Sequence, residues 1–351
     1  MKLWERVIET RLRRETQVTA NQFGFMPGRS TTEAIHVLRR LMEKYREKKR
    51  DLHMVFIDLE KAYDSVPRQL IWDSLANRDE LSRSIQEDIP WCMLFADDIV
   101  LVAESKDDLN ARLKEWKSAL ENNGLRISRS NTEYLWCNFS RTNDEEDEAS
   151  LVTIGGQEVP QTTRFKYLGS FVQSDGDIDC DVAYRVQAGW NKWRAVTSIL
   201  CDKRFPDKLK GKFYRVAVQP AMLYGTDCWP IKKIHERKLE TAEMRMLRWM
   251  CGHTRLDRIR NETIRGRVGV TCISDKVREG RLGWFGHVRR RHVLAPARRV
   301  ENLSVEGKRY KGTPRLTWEE QIRQDMIALH LSEEMISESN SWRRRIKARD
   351  Y

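Results

Sequence analysis

The sequence predicts an α+β fold, with a small antiparallel sheet near the N-terminus and helices after it. Three observations predict this. An apolar run at 53–57 ends in Asp58, and two further apolar runs at 91–95 and 99–103 flank the pair Asp97-Asp98. Short apolar runs bounded by turn residues are typical of strands. From residue 181 onward the apolar residues recur at helical spacing instead.

The remaining elements of the first half follow from capping and turn signals. Helical spacing predicts helices over 1–20 and 31–50, and Pro67 favours a helix start because proline suits the first helical position. A second short helix is expected over 80–87. An amphipathic helix over 107–122 ends at Asn123-Gly124. We expect strands at 53–58, 91–103 (as a hairpin), 133–138 and, in short pieces, over 151–173.

Asp58, Asp97 and Asp98 together predict a metal site. Carboxylates at strand ends sit on rigid backbone, and Mg²⁺ takes hard oxygen ligands. The arrangement resembles the centre of nucleic-acid polymerases, where two divalent ions about 3.5–4 Å apart activate the attacking hydroxyl and stabilise the leaving pyrophosphate. The alternative is that 96–98 is only a hairpin turn, since Asp is common in turns. The second acidic strand end at Asp58 disfavours that alternative.

Four ordered motifs resemble those of reverse transcriptases from non-LTR (LINE-type) retrotransposons, most closely the RTE-like elements of plants. They are 21–31 (NQFGFMPGRST), 56–64 (FIDLEKAYD), 95–98 (FADD) and 165–169 (FKYLG). Segments at 189–194, 223–225, 246–255 and 284–288 resemble the downstream part of the same reading frame. The resemblance therefore covers nearly the whole chain.

This resemblance implies a right-hand polymerase-like arrangement. The implied divisions are partial fingers at 1–50, a palm with an antiparallel sheet and helices at 51–140, an acidic loop and palm-thumb connection at 141–175, a helical thumb at 176–260, and a basic helical C-terminal extension at 261–351.

The resemblance also assigns roles to residues. Asp58, Asp97 and Asp98 are implied to be catalytic and to bind Mg²⁺ or Mn²⁺. Tyr63 matches the aromatic residue that stacks under the nucleotide sugar and rejects a 2′-hydroxyl, and Arg29 is a candidate for contacting the triphosphate or the template. The implied substrates and partners are an RNA template, a DNA primer and deoxynucleoside triphosphates. The oligomeric state is not predicted.

The interval between Asp58 and Asp97 is only 39 residues. In relatives it also holds another fingers segment and the start of a long palm helix, so the resemblance implies an internal deletion near 76–79, genomic or caused by a mispredicted splice. Asn131 stands where relatives usually have a lysine. We therefore expect a truncated, catalytically impaired polymerase. The alternatives are a non-catalytic nucleic-acid-binding remnant and the product of a decayed reading frame.

Charge is distributed unevenly along the chain. Residues 1–180 carry a net charge of −6 and residues 181–351 carry +18. Nucleic-acid affinity comes largely from phosphate neutralisation, so we expect a polyanion to dock on the second half. The alternative is a set of solvated helices that are basic without a partner. Likewise, the aromatic residues among these helices either stack on bases or form the core: Trp190, Trp193, Trp249, Trp284 and Phe285.

Composition indicates a protein that is neither secreted nor membrane-spanning. The mean hydropathy is −0.67, and no run approaches the 18 or more apolar residues of a membrane span. The N-terminus lacks a signal-peptide pattern. Seven scattered cysteines suggest reduced thiols, as in a nuclear or cytoplasmic protein.

Overall fold

The structure is a computed structural model that describes residues 19–60, 66–67, 85–140, 151–307 and 315–348, with the isolated residues 4, 7, 10 and 11. Tyr63, the expected junction at 76–79 and the acidic stretch at 144–148 lie outside the described residues. By internal contacts the chain divides into two compact units. The first comprises Met1–Phe165, Ser174–Gly176 and Val293–Lys311, and the second comprises Lys166–Gln173, Asp177–His292 and Gly312–Tyr351.

The described strands are β1 (Leu52–Ile57), β2 (Cys92–Phe95), β3 (Asp98–Ala103), β4 (Glu133–Cys137), β5 (Thr153–Ile154), β6 (Gln157–Glu158), β7 (Gln161–Thr162), β8 (Arg164–Tyr167) and β9 (Ser170–Gln173). The described α-helices are α1 (Thr31–Lys48), α2 (Lys106–Asn122), α3 (Asp179–Ala195), α4 (Thr197–Leu200), α5 (Asp207–Phe213), α6 (Gln219–Leu223), α7 (Lys233–Met250), α8 (Asn261–Val268), α9 (Ile273–Arg290), α10 (Pro296–Asn302), α11 (Trp318–Ala328) and α12 (Ser339–Ile346). A π-helical segment (Tyr214–Val218) links α5 to α6, and short 3₁₀ helices lie at Thr226–Cys228 and Glu333–Ile336.

The first unit is built on a five-stranded sheet with the order β2-β3-β1-β4-β7. Its pairs are antiparallel except for β4 and β7. All six residues of the central strand β1 are buried, and five of them are apolar, with His53 the exception. Helix α2 packs on the sheet through Leu109, Leu113, Trp116 and Leu120, spaced to form one helical face. The Ser105 hydroxyl accepts from the Asp108 N–H and caps that helix.

Helix α1 is buried on almost every side, and a distant part of the chain supplies one of its neighbours. Helix α10 packs against it, with Val300 fully buried. The Lys44 ammonium donates to the carbonyl oxygens of Glu301 and Leu303 at 2.9 Å each, satisfying groups at the end of α10. Helix α10, in a stretch of the chain expected to be part of a C-terminal extension, therefore belongs to the core of the first unit.

The second unit is helical. One group of buried side chains joins α3 and the segments after it to α7, α8 and the start of α9, with Trp229, Leu239 and Leu247 at its centre. A second group joins α9, α11 and α12 around the fully buried Trp318 and Trp342. Among the helices of the described residues, none combines the length and the hydrophobicity needed to cross a lipid bilayer.

Most predicted elements of the described segments are confirmed. Helices α1 and α2 accompany a mainly antiparallel sheet in the first unit, and helices predominate after residue 178, which fits an α+β fold. The prediction of a helix over 80–87 is wrong for the last residues of that range, because 85–87 are not helical. The Glu87 carbonyl accepts a hydrogen bond from the Asn21 side chain, not from a helical N–H. The five polymerase-like divisions stay a prediction.

The packing of α10 predicts that a charge at its buried face destabilises the first unit. Val300→Asp places an unpaired carboxylate against α1, and we expect the free energy of unfolding in urea to fall by about 3 kcal/mol. Val293→Asp is the matched control, since Val293 is 55% exposed, and it should change stability by less than about 0.5 kcal/mol. Equal stability of the two variants would show that α10 is not part of the core.

Candidate metal and nucleotide site

The sheet register brings the predicted carboxylates to one edge. Ile57 of β1 lies opposite Ile99 of β3 in an antiparallel pair, so the next pair along is Asp58 and Asp98. Phe95 pairs with Asp98 at the end of the hairpin, which leaves Ala96 and Asp97 at its tip. Asp58, Asp97 and Asp98 therefore lie together at the end of β1 and the start of β3.

The hairpin tip is held in a conformation that costs energy. Ala96 has φ of 58°, in the left-handed region that costs a non-glycine residue about 1 kcal/mol. Gly24 lies directly against it, because a Cβ added there would be 2.5 Å from the Ala96 nitrogen and 3.0 Å from the Phe95 carbonyl carbon. A glycine at position 24 is thus what lets the N-terminal loop reach the backbone of the tip.

The same loop closes the outer edge of the sheet. The Phe23 N–H donates to the Leu94 carbonyl at 2.7 Å, and the Leu94 N–H donates to the Asn21 carbonyl at 2.9 Å. These bonds satisfy backbone groups of β2 that would otherwise be unpaired at an edge. The motif at 21–31 is therefore attached to the motif at 95–98 through main-chain hydrogen bonds.

Asp58 is fixed from the other side by the segment before β4. Its carbonyl accepts from the Ser128 N–H at 2.8 Å, and its Oδ2 accepts from the Asn131 Nδ2 at 2.9 Å. The Thr132 hydroxyl donates to the Ser128 carbonyl and closes this turn. Asn131, noted in the sequence only as a missing lysine, thus orients one of the predicted metal ligands.

Crowding of negative charge perturbs Asp98. Burial, together with the neighbouring charges of Asp97 and Asp58, raises the pKa of Asp98 to about 6. A divalent cation among the three would offset that repulsion, and oxygen donors suit Mg²⁺ and Mn²⁺. The residues present therefore fit the metal that the sequence predicts.

A different group has its ligand atoms closer together. Within the segments that the structure describes, the three-residue set whose ligand atoms all lie within 4.8 Å is Asp177, Asp179 and His235, in the second unit. Lys232 already pairs with Asp177, and Lys238 with Asp179 at 3.2 Å. Each carboxylate of this set is therefore already paired with an ammonium group, and His235 pairs with Asp179 at 3.1 Å.

The structure describes one of the two predicted substrate-binding residues, Arg29. The Arg29 guanidinium lies 5.3 Å from the Phe23 ring centroid and 3.5 Å from Oε1 of the buried Glu33. Its charge is therefore partnered by the first turn of α1, which directly follows the loop that carries Arg29. Its role toward a triphosphate or template stays a prediction. Tyr63 lies outside the described residues.

The motif at 165–169 is divided between the two units, with Phe165 in the first and the remaining residues in the second. In the first unit the Phe165 ring stacks on Phe56 at a centroid distance of 4.0 Å, on the face of β1 that Asp58 also shares by strand alternation. In the second unit Leu168 and Gly169 both have positive φ and form the two-residue turn between β8 and β9. Tyr224 donates its hydroxyl to the Leu168 carbonyl at 2.7 Å, which orders that turn.

The aromatic residues of the second unit divide between core and surface. Trp193 and Phe285 are buried, whereas Trp249 is 55% exposed. Trp249 nevertheless packs against Trp190 and Trp193, with centroid distances of 5.6 and 5.4 Å. Neither of the two alternatives, stacking on bases or forming the core, therefore applies to all of these aromatic residues.

Two comparisons with known proteins concern the family of the chain. Residues 1–86 match the family model described as reverse transcriptase (RNA-dependent DNA polymerase). That stretch includes Arg29 and Asp58 and ends before Asp97. The chain is also 24% identical over 255 residues to a transposon-derived protein of Caenorhabditis elegans, a match that covers 69% of this chain and 88% of that protein. Together these similarities support a relationship to the reverse transcriptases of transposable elements.

The contact at Gly24 predicts a cost for any side chain there. Gly24→Ala forces the loop and the hairpin tip apart, and we expect the free energy of unfolding to fall by about 2 kcal/mol. Gly266→Ala is the control, since its Cβ meets nothing within 4 Å and an alanine inside α8 should add about 0.5–1 kcal/mol. Urea titration measures both. A Gly24→Ala protein as stable as the parent would contradict the close approach.

Proposed function

We propose that this chain is a truncated, catalytically impaired RNA-directed DNA polymerase from a non-LTR, RTE-like retrotransposon. The observation that carries the proposal is the meeting of Asp58 with Asp97 and Asp98 at one sheet edge, in a chain whose first 86 residues match a reverse transcriptase family model. The proposed substrates are deoxynucleoside triphosphates and a DNA primer annealed to an RNA template. The proposed place of action is the nucleus or the cytoplasm.

In this proposal the primer 3′-hydroxyl attacks the α-phosphorus of the incoming nucleotide. A new phosphorus–oxygen bond forms to the primer, the bond to pyrophosphate breaks, and the hydroxyl proton is lost. Two Mg²⁺ or Mn²⁺ ions, when bound, lower the pKa of the hydroxyl and stabilise the leaving pyrophosphate. Asp58 and Asp97 would hold these ions with Asp98 beside them.

Other residues of the chain would position the substrate. Asn131 donates to Oδ2 of Asp58 and so limits rotation of that carboxylate, whose other oxygen would be available to a metal ion. Tyr63 would pack under the sugar, and Arg29 would face the triphosphate or the template from the loop at 21–31. The loop is tied to β2 by main-chain bonds, which limits how far Arg29 can move.

The proposed impairment follows from the short interval between the two motifs. A deletion near 76–79 would remove the helix that forms a wall of the nucleotide pocket. Positioning errors of 1 Å can cost on the order of a hundredfold in rate. The carboxylates would then remain in place while the nucleotide is poorly held against them.

Primer extension on an RNA template tests the proposal. With Mg²⁺ or Mn²⁺ we expect weak extension that falls by about a hundredfold or more in Asp97→Asn, because a metal ligand is lost. Asp107→Asn, an exposed position at the start of α2, should leave extension unchanged. Identical incorporation by the parent chain and Asp97→Asn would contradict polymerase activity.

A second candidate function is nucleic-acid binding without catalysis, and one observation favours it. The net charge of +18 over residues 181–351 suits a polyanion whether or not the metal site works.

Sequencing the transcript across codons 76–79 distinguishes a genomic deletion from a mispredicted splice as the origin of the short interval between Asp58 and Asp97. A transcript that encodes the missing helix would show an artefact of the gene prediction and restore the expectation of an active enzyme.

A further inference from the structure

One face of α7 carries an exposed row of residues four positions apart. Arg237, Thr241, Arg245 and Trp249 all lie on it, since residues four apart are neighbours on a helix surface. Beside this row is a cleft of about 310 Å³ that we call the arginine cleft. Its lining residues are Arg237, Glu240, Thr241, Met244, Arg245, Arg248, Arg255 and Asn261.

The charges of the arginine cleft are not balanced. Arg237, Arg245 and Arg255 are exposed and have no acidic partner among the described residues. The one carboxylate in the lining, Glu240, accepts a hydrogen bond from the Ser274 hydroxyl at 2.7 Å. The positive charges around the cleft repel each other, and the attraction of each of them to a bound anion would offset that repulsion.

Arg248 connects the two sides of the cleft, which are the end of α7 and the loop that follows it. This largely buried guanidinium donates to the Ile259 carbonyl at 2.7 Å and to the Asn261 Oδ1 at 2.9 Å. Those bonds hold the loop at 251–260, which carries Arg255, against the end of α7. The backbone that carries Arg255 is therefore held next to α7 before any ligand binds, which lowers the entropic cost of binding.

Trp249 adds an aromatic surface one turn beyond Arg245. Its ring packs against Trp190 in a T-shaped pair and against Trp193 in a tilted pair, while 55% of the residue is exposed. The two partners limit its rotation, so little side-chain freedom remains to be lost when a planar group stacks on it. An exposed tryptophan packed against two others, on the same helix as a cationic cleft large enough to admit a backbone phosphate, combines the two features of single-strand recognition.

We propose that the arginine cleft and Trp249 form a binding surface for single-stranded nucleic acid. A backbone phosphate lies among Arg237, Arg245 and Arg255, and a neighbouring base stacks on Trp249. This deepens the proposed function by naming a strand-binding surface in the second unit, but the binding itself requires neither metal nor polymerase activity. The shared chemistry, a phosphodiester with an adjacent base, allows DNA or RNA.

The test is fluorescence anisotropy with labelled single-stranded RNA and DNA of mixed sequence, in EDTA and across a salt series, using the full chain. Trp249→Ala should weaken binding about 5- to 100-fold, since one stacked base is lost. Trp249→Phe should retain most of the affinity. The triple variant Arg237→Gln, Arg245→Gln and Arg255→Gln should reduce the slope of log K against log salt by up to about 2.

Two controls separate this surface from general basicity. The triple variant Lys203→Gln, Lys212→Gln and Arg344→Gln removes the same charge from exposed positions elsewhere in the second unit and should change the slope far less. Inorganic polyphosphate, which has no bases, should lose affinity for the arginine variant but not for Trp249→Ala.

Three results would overturn the proposal: equal salt slopes for the two triple variants, full affinity of Trp249→Ala for both oligonucleotides, or no measurable binding by the parent chain. Tighter binding of RNA than of DNA, or the reverse, supports it and identifies the strand. Absence of primer extension leaves the outcome unaffected, because the assay contains neither divalent metal nor nucleotides.

Discussion

The pairing of β1 with β3 is the constraint on which the candidate site depends. Because side chains alternate between the faces of a strand, only the register with Ile57 opposite Ile99 brings Asp58 beside Asp98. A slip of one residue would move every buried side chain of β1 to the other face. The apolar core that fixes this register therefore also fixes the spacing of the carboxylates.

Hydrogen bonds around the site stabilise it against the electrostatic repulsion among its three aspartates. The burial and mutual charge that raise the pKa of Asp98 to about 6 work against the folded state at neutral pH. Main-chain bonds from the loop at 21–23 and the hydrogen bond from Asn131 hold the three aspartates together in spite of this. Strain of this kind is typical of functional sites, where the surrounding fold compensates for local cost.

Local sequence signals predicted the local parts of this arrangement. The hairpin, helix α2 and the acidic strand ends follow from periodicity and turn residues, which act over a few positions. The edge bonds from Asn21 and Phe23, the contact at Gly24 and the burial of Val300 join residues far apart in sequence, and periodicity carries no information about such pairs. The basic composition after residue 260 also concealed the return of α10 to the first unit, because the apolar residues of that helix are few.

We propose above all that Asp58, Asp97 and Asp98 bind a divalent cation. Titration with Mn²⁺ followed by electron paramagnetic resonance tests it directly, since bound and free ions differ in signal. The double variant Asp58→Asn and Asp97→Asn should lose the tight binding, while Asp177→Asn, which alters the other acidic group, should keep it. Retained binding in the double variant, with loss in Asp177→Asn, would place the metal in the second unit and contradict the account.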